Sequence, residues 1–291
     1  MSTKKIVFII CYFGKWPPWI SIFLNSCKEN PKIDFLIFTD CGDSGVSNIV
    51  NVKFVHFTIA DFNRLASQTL KLPVQILVPY KVCDFKPVYG IIFQNYLQDY
   101  DFWGHTDTDL IFGNIDKFIT DKILSSYDVI TAKKQYLLGH FTLYKNTAKI
   151  NSLYKLSKDH ESVFTTGSEY FCFDECGFLW FYLLQGHPLT GIEPKVVSMT
   201  HIVKQLHKKK YLRAYFQTHM VEQDQIDENG VVDFEDKLIW NKGELHSATT
   251  GKKYLYFHFH FLKTDSAFKI PGWTDFPRRF SISAKGFALI Q

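Results

Sequence analysis

Ile6 to Cys11 is an unbroken apolar run, as expected of a strand buried on both faces, and Pro17-Pro18 after it fit the first turn of a helix reaching about Lys28, ended by Asn30-Pro31. Ile33 to Phe38 reads as a second strand, followed by Thr39-Asp40 and a Gly- and Ser-bearing loop from Cys41 to Ser47. Val50 to Phe57 alternates as a third strand. Thr58-Ile59-Ala60-Asp61 is then a capping-box variant, with Asp in place of Glu or Gln, opening a helix toward Leu70. Strands and helices in this order predict a parallel sheet with helices on its faces. Pro87 can start another helix carrying Tyr89 to Leu97, and Asp101 to Thr106 forms the next strand.

The second half is less regular. Tyr127 to Thr131 and Phe141 to Lys145 read as strands, Thr147 to Ser157 as a helix, and Phe173 to Gln185 as a helix whose start carries Asp174-Glu175. Leu238 to Leu245, around Asn241-Lys242-Gly243, reads as a hairpin, and Tyr254 to Leu262 as a strand with His258 and His260 on one face. No Pro/Ser-rich linker and no repeat interrupts the chain, so a single domain over residues 1–291 is expected.

The densest chemistry lies in Tyr100 to Gly113, where an apolar run breaks into Asp107 and Asp109. In an extended backbone, side chains at i and i+2 project from one face, so two carboxylates would meet just past a strand end and repel each other. A magnesium or manganese ion relieves that repulsion and keeps positions open for substrate phosphates. The alternative is a loop-capping Asp107 beside a solvated Asp109. In open α/β sheets, ligands gather beyond the carboxyl ends of the strands, where Tyr12-Phe13-Gly14, Thr39-Asp40 and the aspartate pair would converge. The chain has neither G-x-G-x-x-G nor G-x-x-x-x-G-K-[ST], so a dinucleotide fold or a P-loop is not supported.

Composition changes this picture little. Of 291 residues, 46% are apolar and 21% charged, which fits a globular protein throughout. The 28 Phe, 15 Tyr and 6 Trp suit either a thick core or a sugar-stacking surface. A net charge of +4 argues against a nucleic-acid partner. His207-Lys208-Lys209-Lys210 with Arg213, and Arg278-Arg279, are either contacts for an anionic bilayer surface or solvated faces. The Ile6 to Ile10 run is too short for a signal segment, and no stretch approaches a bilayer span. The six cysteines read as reduced thiols; Cys172-x-x-x-Cys176 resembles half a zinc site without a second pair.

With these residues laid out, the chain resembles nucleotide-sugar glycosyltransferases of the GT-A fold, and among them bacterial polysaccharide-assembly transferases. The resemblance is densest in Tyr80 to Pro87, Tyr100 to Gly113, Gly139 to Tyr144, Phe173-Asp174-Glu175 and His258 to Lys263. It implies an α/β fold with a mainly parallel Rossmann-like central sheet flanked by helices, a nucleotide-donor half (1–115) and a smaller acceptor half (116–291).

It further implies that Asp107 and Asp109 hold Mn2+ or Mg2+ against the donor's diphosphate, joined by His258 or His260, with Lys263 as a phosphate contact. Tyr12, Phe13, Gly14, Thr39 and Asp40 correspond to pieces that grip base and ribose, while Lys81, Asp84, Lys86 and Thr108 fall where relatives contact donor sugar or phosphate. An inverting reaction is favoured over a retaining one, with Asp174, or else Glu175, taking the acceptor's proton; a retaining enzyme needs no such base.

The function implied is transfer of a hexose from a UDP-sugar to a glycan or lipid-linked oligosaccharide acceptor in bacterial surface polysaccharide assembly. The protein would then be cytoplasmic, resting peripherally on the inner face of the membrane. A non-catalytic sugar-binding or scaffold protein is the alternative. An aspartate-nucleophile phosphohydrolase fits worse, because its pair follows the first strand and carries Thr where Ile111 stands.

Overall fold

A computed structural model of the chain describes residues 4–46, 49–222, 226–227, 230–231, 237–273 and 275–290. Chain order runs β1 (Ile6–Tyr12), α1 (Ile20–Lys28), β2 (Ile33–Thr39), β3 (Val52–His56) and α2 (Ile59–Leu70). A 3-10 run over Pro79–Val88 leads into α3 (Tyr89–Ile92), β4 (Phe102–Thr106) and β5 (Leu110–Phe112). Next come α4 (Ile115–Phe118), α5 (Asp121–Ser126), β6 (Val129–Thr131), β7 (Phe141–Lys145), α6 (Ala148–Asn151), α7 (His160–Thr165), α8 (Trp180–Leu184) and α9 (Met199–Lys208). The remainder is strand: β8 (Ala214–Phe216), β9 (Met220–Glu222), β10 (Ile226–Asp227), β11 (Gly230–Val231), β12 (Leu238–Asn241), β13 (Glu244–Ser247), β14 (Lys253–Tyr254), β15 (Tyr256–His258), β16 (Arg279–Ser283) and β17 (Gly286–Leu289).

The central sheet has the order β3-β2-β1-β4-β7-β6-β8, in which only β7 runs against the other strands. It is a mainly parallel sheet flanked by helices, as the sequence predicts. Alternation along β1 supplies both faces: Val7 and Ile9 join Phe38, Phe62, Trp103 and Tyr144 on one side, and Ile6, Phe8 and Ile10 join Phe23, Phe35, Phe112 and Phe141 on the other. The phenylalanines largely fill this core, with Phe8 packed 5.6 Å from Phe35 and 5.2 Å from Phe141, centroid to centroid. Each such ring buried contributes about 1.5–3 kcal/mol.

Two smaller sheets complete the fold. An antiparallel one, β14-β13-β12-β16-β17, packs around Trp240, Phe280 and Phe287. The other, β5-β15-β9, places β15 antiparallel to β5 and parallel to β9. Its register is what builds the site described below.

Several local expectations hold. Thr58 caps α2 in a reciprocal box with Asp61. The β12–β13 hairpin turns on Lys242 and Gly243, both at positive φ (48° and 80°), the primed geometry that suits a two-residue hairpin. Others do not. The segment after Phe173 does not begin a helix, because Cys172 (φ 54°), Gly177 (φ 64°) and Phe178 (φ 66°) turn the chain into the left-handed region; helix appears only at α8. The stretch after Pro87 holds one short α turn and a 3-10 turn instead of a helix to Leu97. All six cysteines are free thiols, with Cys27, Cys172 and Cys176 buried. No helix among the described residues is long and apolar enough to cross a membrane.

Candidate active site

The carboxyl ends of β1 and β4 open into a cavity of about 350 Å3 walled by Tyr12, Phe13, Trp19, Tyr80, Lys86, Asp107, Thr108, Asp109, His260 and Lys263. Its inner end is built around Asp109. The backbone N–H of Phe259 donates to the Asp109 carbonyl at 3.1 Å, and the β5–β15 ladder pairs Leu110 with His258, so β15 and the residues after it lie alongside the D-x-D turn. Asp109 is only 4% exposed. Its Oδ2 accepts from Lys263 Nζ at 2.5 Å and lies 3.3 Å from His260 Nδ1, while Oδ1 is 3.5 Å from His258 Nε2.

The parallel β9–β15 ladder sets Glu222 directly beside His258. Glu222 Oε1 lies 2.6 Å from His258 Nδ1, which donates to it. With that proton committed, the Nε2 lone pair of a neutral His258 faces Asp109 across a gap longer than a good hydrogen bond. His140 stacks on His258 with centroids 3.8 Å apart, and Lys133 Nζ stands 3.7 Å from Glu222. Burial alone would depress the His258 pKa, but Asp109 and Glu222 outweigh it and push it up to about 10. Burial likewise opposes the Asp109 charge, and His258, His260 and Lys263 overcome it and hold the carboxyl well below its usual range.

Ligand atoms from Asp109, His258 and His260 all lie within 4.8 Å of one another, as do those from His140, Glu222 and His258. A carboxylate oxygen with two imidazole nitrogens, one of them a buried atom lacking a hydrogen-bond partner, fits a divalent transition-metal ion. Asp107 stands outside both groups. Residues 107–109 form a bend between β4 and β5, where the i, i+2 rule of an extended strand does not apply. The Asp107 side chain, 36% exposed, instead takes Lys86 Nζ at 2.6 Å.

Lys86 is the second centre of charge. Its Nζ also donates to the Gly139 carbonyl at 2.9 Å and lies 3.9 Å from Asp174 Oδ2. Burial works against its charge, yet Asp107 and Asp174 more than compensate and its pKa lies well above the usual range. Asp174 and Glu175 do not line the cavity. Asp174 is 1% exposed, accepts from the Tyr170 hydroxyl at 3.0 Å, and is pushed well above the ordinary carboxyl range chiefly by burial. Glu175 accepts from Gly139 N (2.7 Å), Trp180 Nε1 (2.6 Å) and the Cys172 thiol (3.6 Å). Together they brace the turn at Gly139, where an added Cβ would lie 2.4 Å from Asp174 Oδ2.

Lys81 and Asp84 also fall away from the cavity. A 3-10 helix eclipses side chains at i and i+3, so the two form a fully buried ion pair at 2.7 Å. Asp84 accepts the backbone N–H groups of Phe171 and Phe173, both at 2.9 Å, and Lys81 lies over the Phe171 ring. Their task is to fasten the segment that leads to Asp174.

Of the expected base and ribose contacts, Tyr12 and Phe13 line the cavity, whereas Thr39 and Asp40 do not. The Asp40 carboxylate accepts from Gly14 N at 2.7 Å, holding the loop where Gly14 takes φ 99°. Thr39 accepts from Cys41 N at 3.0 Å. Cys172 and Cys176 belong to neither ligand group.

The sequence reading gave no site role to Glu222, His140 or Trp19. Glu222 ends a three-residue strand with no period to read, and its meaning arises only from lying next to His258.

The model of a family of unknown function, DUF6625, matches residues 8–290. The chain belongs to that family. No curated protein matches the sequence of this DUF6625 member. Among solved structures it is similar to the galactosyltransferase LgtC in complex with donor and acceptor sugar analogues, at 11% identity and a TM-score of 0.35, over 57% of this chain and 66% of that one. The chain thus spans just under two thirds of that enzyme's length. It is also similar to the glycosyltransferase GlyE of Streptococcus pneumoniae TIGR4, at 10% identity and a TM-score of 0.30, over 77% of this chain and 69% of that one. At these scores the reading of the site rests on its own geometry.

Proposed function

We propose that the protein is a metal-dependent glycosyltransferase that takes a hexose from a UDP-sugar. The observation that carries this is the joining of Asp109, His258 and His260 at the carboxyl end of a parallel sheet, with Asp109 and His260 lining a cavity that also holds two ammonium groups, Lys86 and Lys263. Two imidazoles and one carboxylate favour manganese over magnesium, which prefers an all-oxygen shell.

When bound, such an ion supplies Lewis-acid neutralisation of the charge that builds on a departing nucleoside diphosphate. Lys263 and Lys86 add positive charge beside the diphosphate, and Asp109 holds Lys263 in place. Tyr12 and Trp19 offer aromatic faces for base or sugar. Glu222 keeps the His258 ring oriented and its Nδ1 proton occupied.

Among the described residues, Asp107 and Asp109 are the only carboxylates that line the cavity. Asp174 lies behind Lys86 and is proposed here as a positioning residue for that lysine, which removes the basis for preferring an inverting reaction. The acceptor is proposed to be a glycan or lipid-linked oligosaccharide. Calorimetry with UDP-glucose, UDP-galactose, their N-acetyl forms and GDP-mannose, each with and without manganese, tests the reading. At least one UDP-sugar should bind only with the metal, and Asp109→Asn should abolish that dependence. Full metal-dependent binding by Asp109→Asn would overturn it.

A further inference from the structure

A second cleft, of about 1190 Å3, opens between α9, the 183–197 segment and the turn joining β8 to β9. It shares no lining residue with the candidate active site. One wall is a single face of α9: His201, Lys204, Gln205 and Lys208 follow the 3- and 4-residue spacing of a helix, and Lys209 adjoins them. The other wall is apolar, with Leu183, Leu184 and Leu189. Among the described residues no carboxylate lines this cleft.

The cationic wall is poised for an anion. Lys208 and Lys209 are exposed. Lys204 is half-buried over the Phe216 ring, and burial lowers its pKa, so a neighbouring anion would stabilise its charge. His201 adds no charge to this wall, because burial lowers its pKa.

A hydrocarbon cannot satisfy the lysines, and a free anion leaves the leucines wet. A ligand with an anionic head and an apolar tail serves both walls. A carboxylate offers one charge and two oxygens to this many donors, whereas a phosphate or diphosphate offers more of each. A concave cleft encloses one molecule, while a bilayer surface calls for a flat or convex face.

We propose that this cleft binds a phosphate or diphosphate carried on an apolar chain, with Lys204, Lys208 and Lys209 at the head and Leu183, Leu184 and Leu189 along the chain. The proposal does not depend on the glycosyltransferase reading. Calorimetry with geranyl diphosphate, inorganic diphosphate and geraniol, run without divalent metal, tests it on the full chain and on a Lys208→Ala/Lys209→Ala variant, whose exposed positions leave the fold intact. Geranyl diphosphate should bind at least tenfold more tightly than inorganic diphosphate, and the double variant should weaken it at least tenfold. Leu189→Ala should narrow the preference for the geranyl chain. Equal affinity for the two diphosphates, unchanged binding by the double variant, or binding to phosphatidylglycerol vesicles with none to soluble geranyl diphosphate would each overturn the proposal.

Discussion

Phe259 donates its backbone N–H to the carbonyl oxygen of Asp109 at 3.1 Å, and that bond stitches a late strand onto the D-x-D turn. His258 on one side of Phe259 and His260 on the other then both reach the Asp109 carboxylate. The site's donor set follows from strand register, with Glu222 supplied by the neighbouring strand.

Glu222 accepts from His258 Nδ1 and has no place in the Asp109, His258, His260 group, so its effect on metal should be indirect. Glu222→Gln is expected to weaken manganese binding about 10–100-fold while the protein stays folded. Electron paramagnetic resonance titration of free Mn2+ reads this directly, and unchanged affinity would remove Glu222 from the site.

The pH dependence has a definite sign. The His258 pKa rises from 6.5 to about 10 in the metal-free fold, so its ion pairs stabilise the protein fully below pH 6.5 and that contribution is lost as pH rises through about 10. Metal binding needs the neutral ring and runs the other way. Apparent manganese affinity should climb about tenfold per pH unit from pH 7 upward, one proton being released per ion. A flat affinity between about pH 6.5 and 8.5 would show that His258 is not a ligand.

Lys81 and Asp84 separate fastening from binding. Lys81→Met leaves a buried, uncompensated carboxylate and should cost about 3–5 kcal/mol in urea unfolding. Its nucleotide affinity under folding conditions should match the parent, since Lys81 does not reach the cavity. A large loss of affinity without loss of stability would return Lys81 to the donor site.

Asp174 can be tested as base or brace. Burial raises the pKa of its carboxyl well above the usual range, and Asn preserves its shape. Asp174→Asn should therefore lower kcat by less than about tenfold, whereas loss of a general base costs about 100-fold or more.

Much of the frame was legible because it rests on local pattern. The unbroken apolar runs of β1 and β2, the Thr58–Asp61 box and the Lys242-Gly243 hairpin each follow from neighbours in sequence. The order of the aspartates, histidines and Lys263 was legible too, and the structure brings Asp109, His258, His260 and Lys263 together. What failed depended on backbone the sequence does not advertise. Lys81, Asp84 and Lys86 look like one charged stretch, but three-residue turns send the first two into the core and leave Lys86 at the cavity. Asp174 looks like a helix start until Cys172 and Phe178 take positive φ. Asp107 and Asp109 look paired until the bend gives each its own lysine.

The position of β15 between β5 and β9 has a consequence for biosynthesis. A nascent chain displays Asp107 and Asp109 long before His258, His260 and Lys263 leave the ribosome, and until they do, the edge of β5 has no partner and Asp109 no cation from that strand. Its first half therefore emerges with an open strand edge that only the last portion of the chain can close, a window in which chaperone attendance matters most.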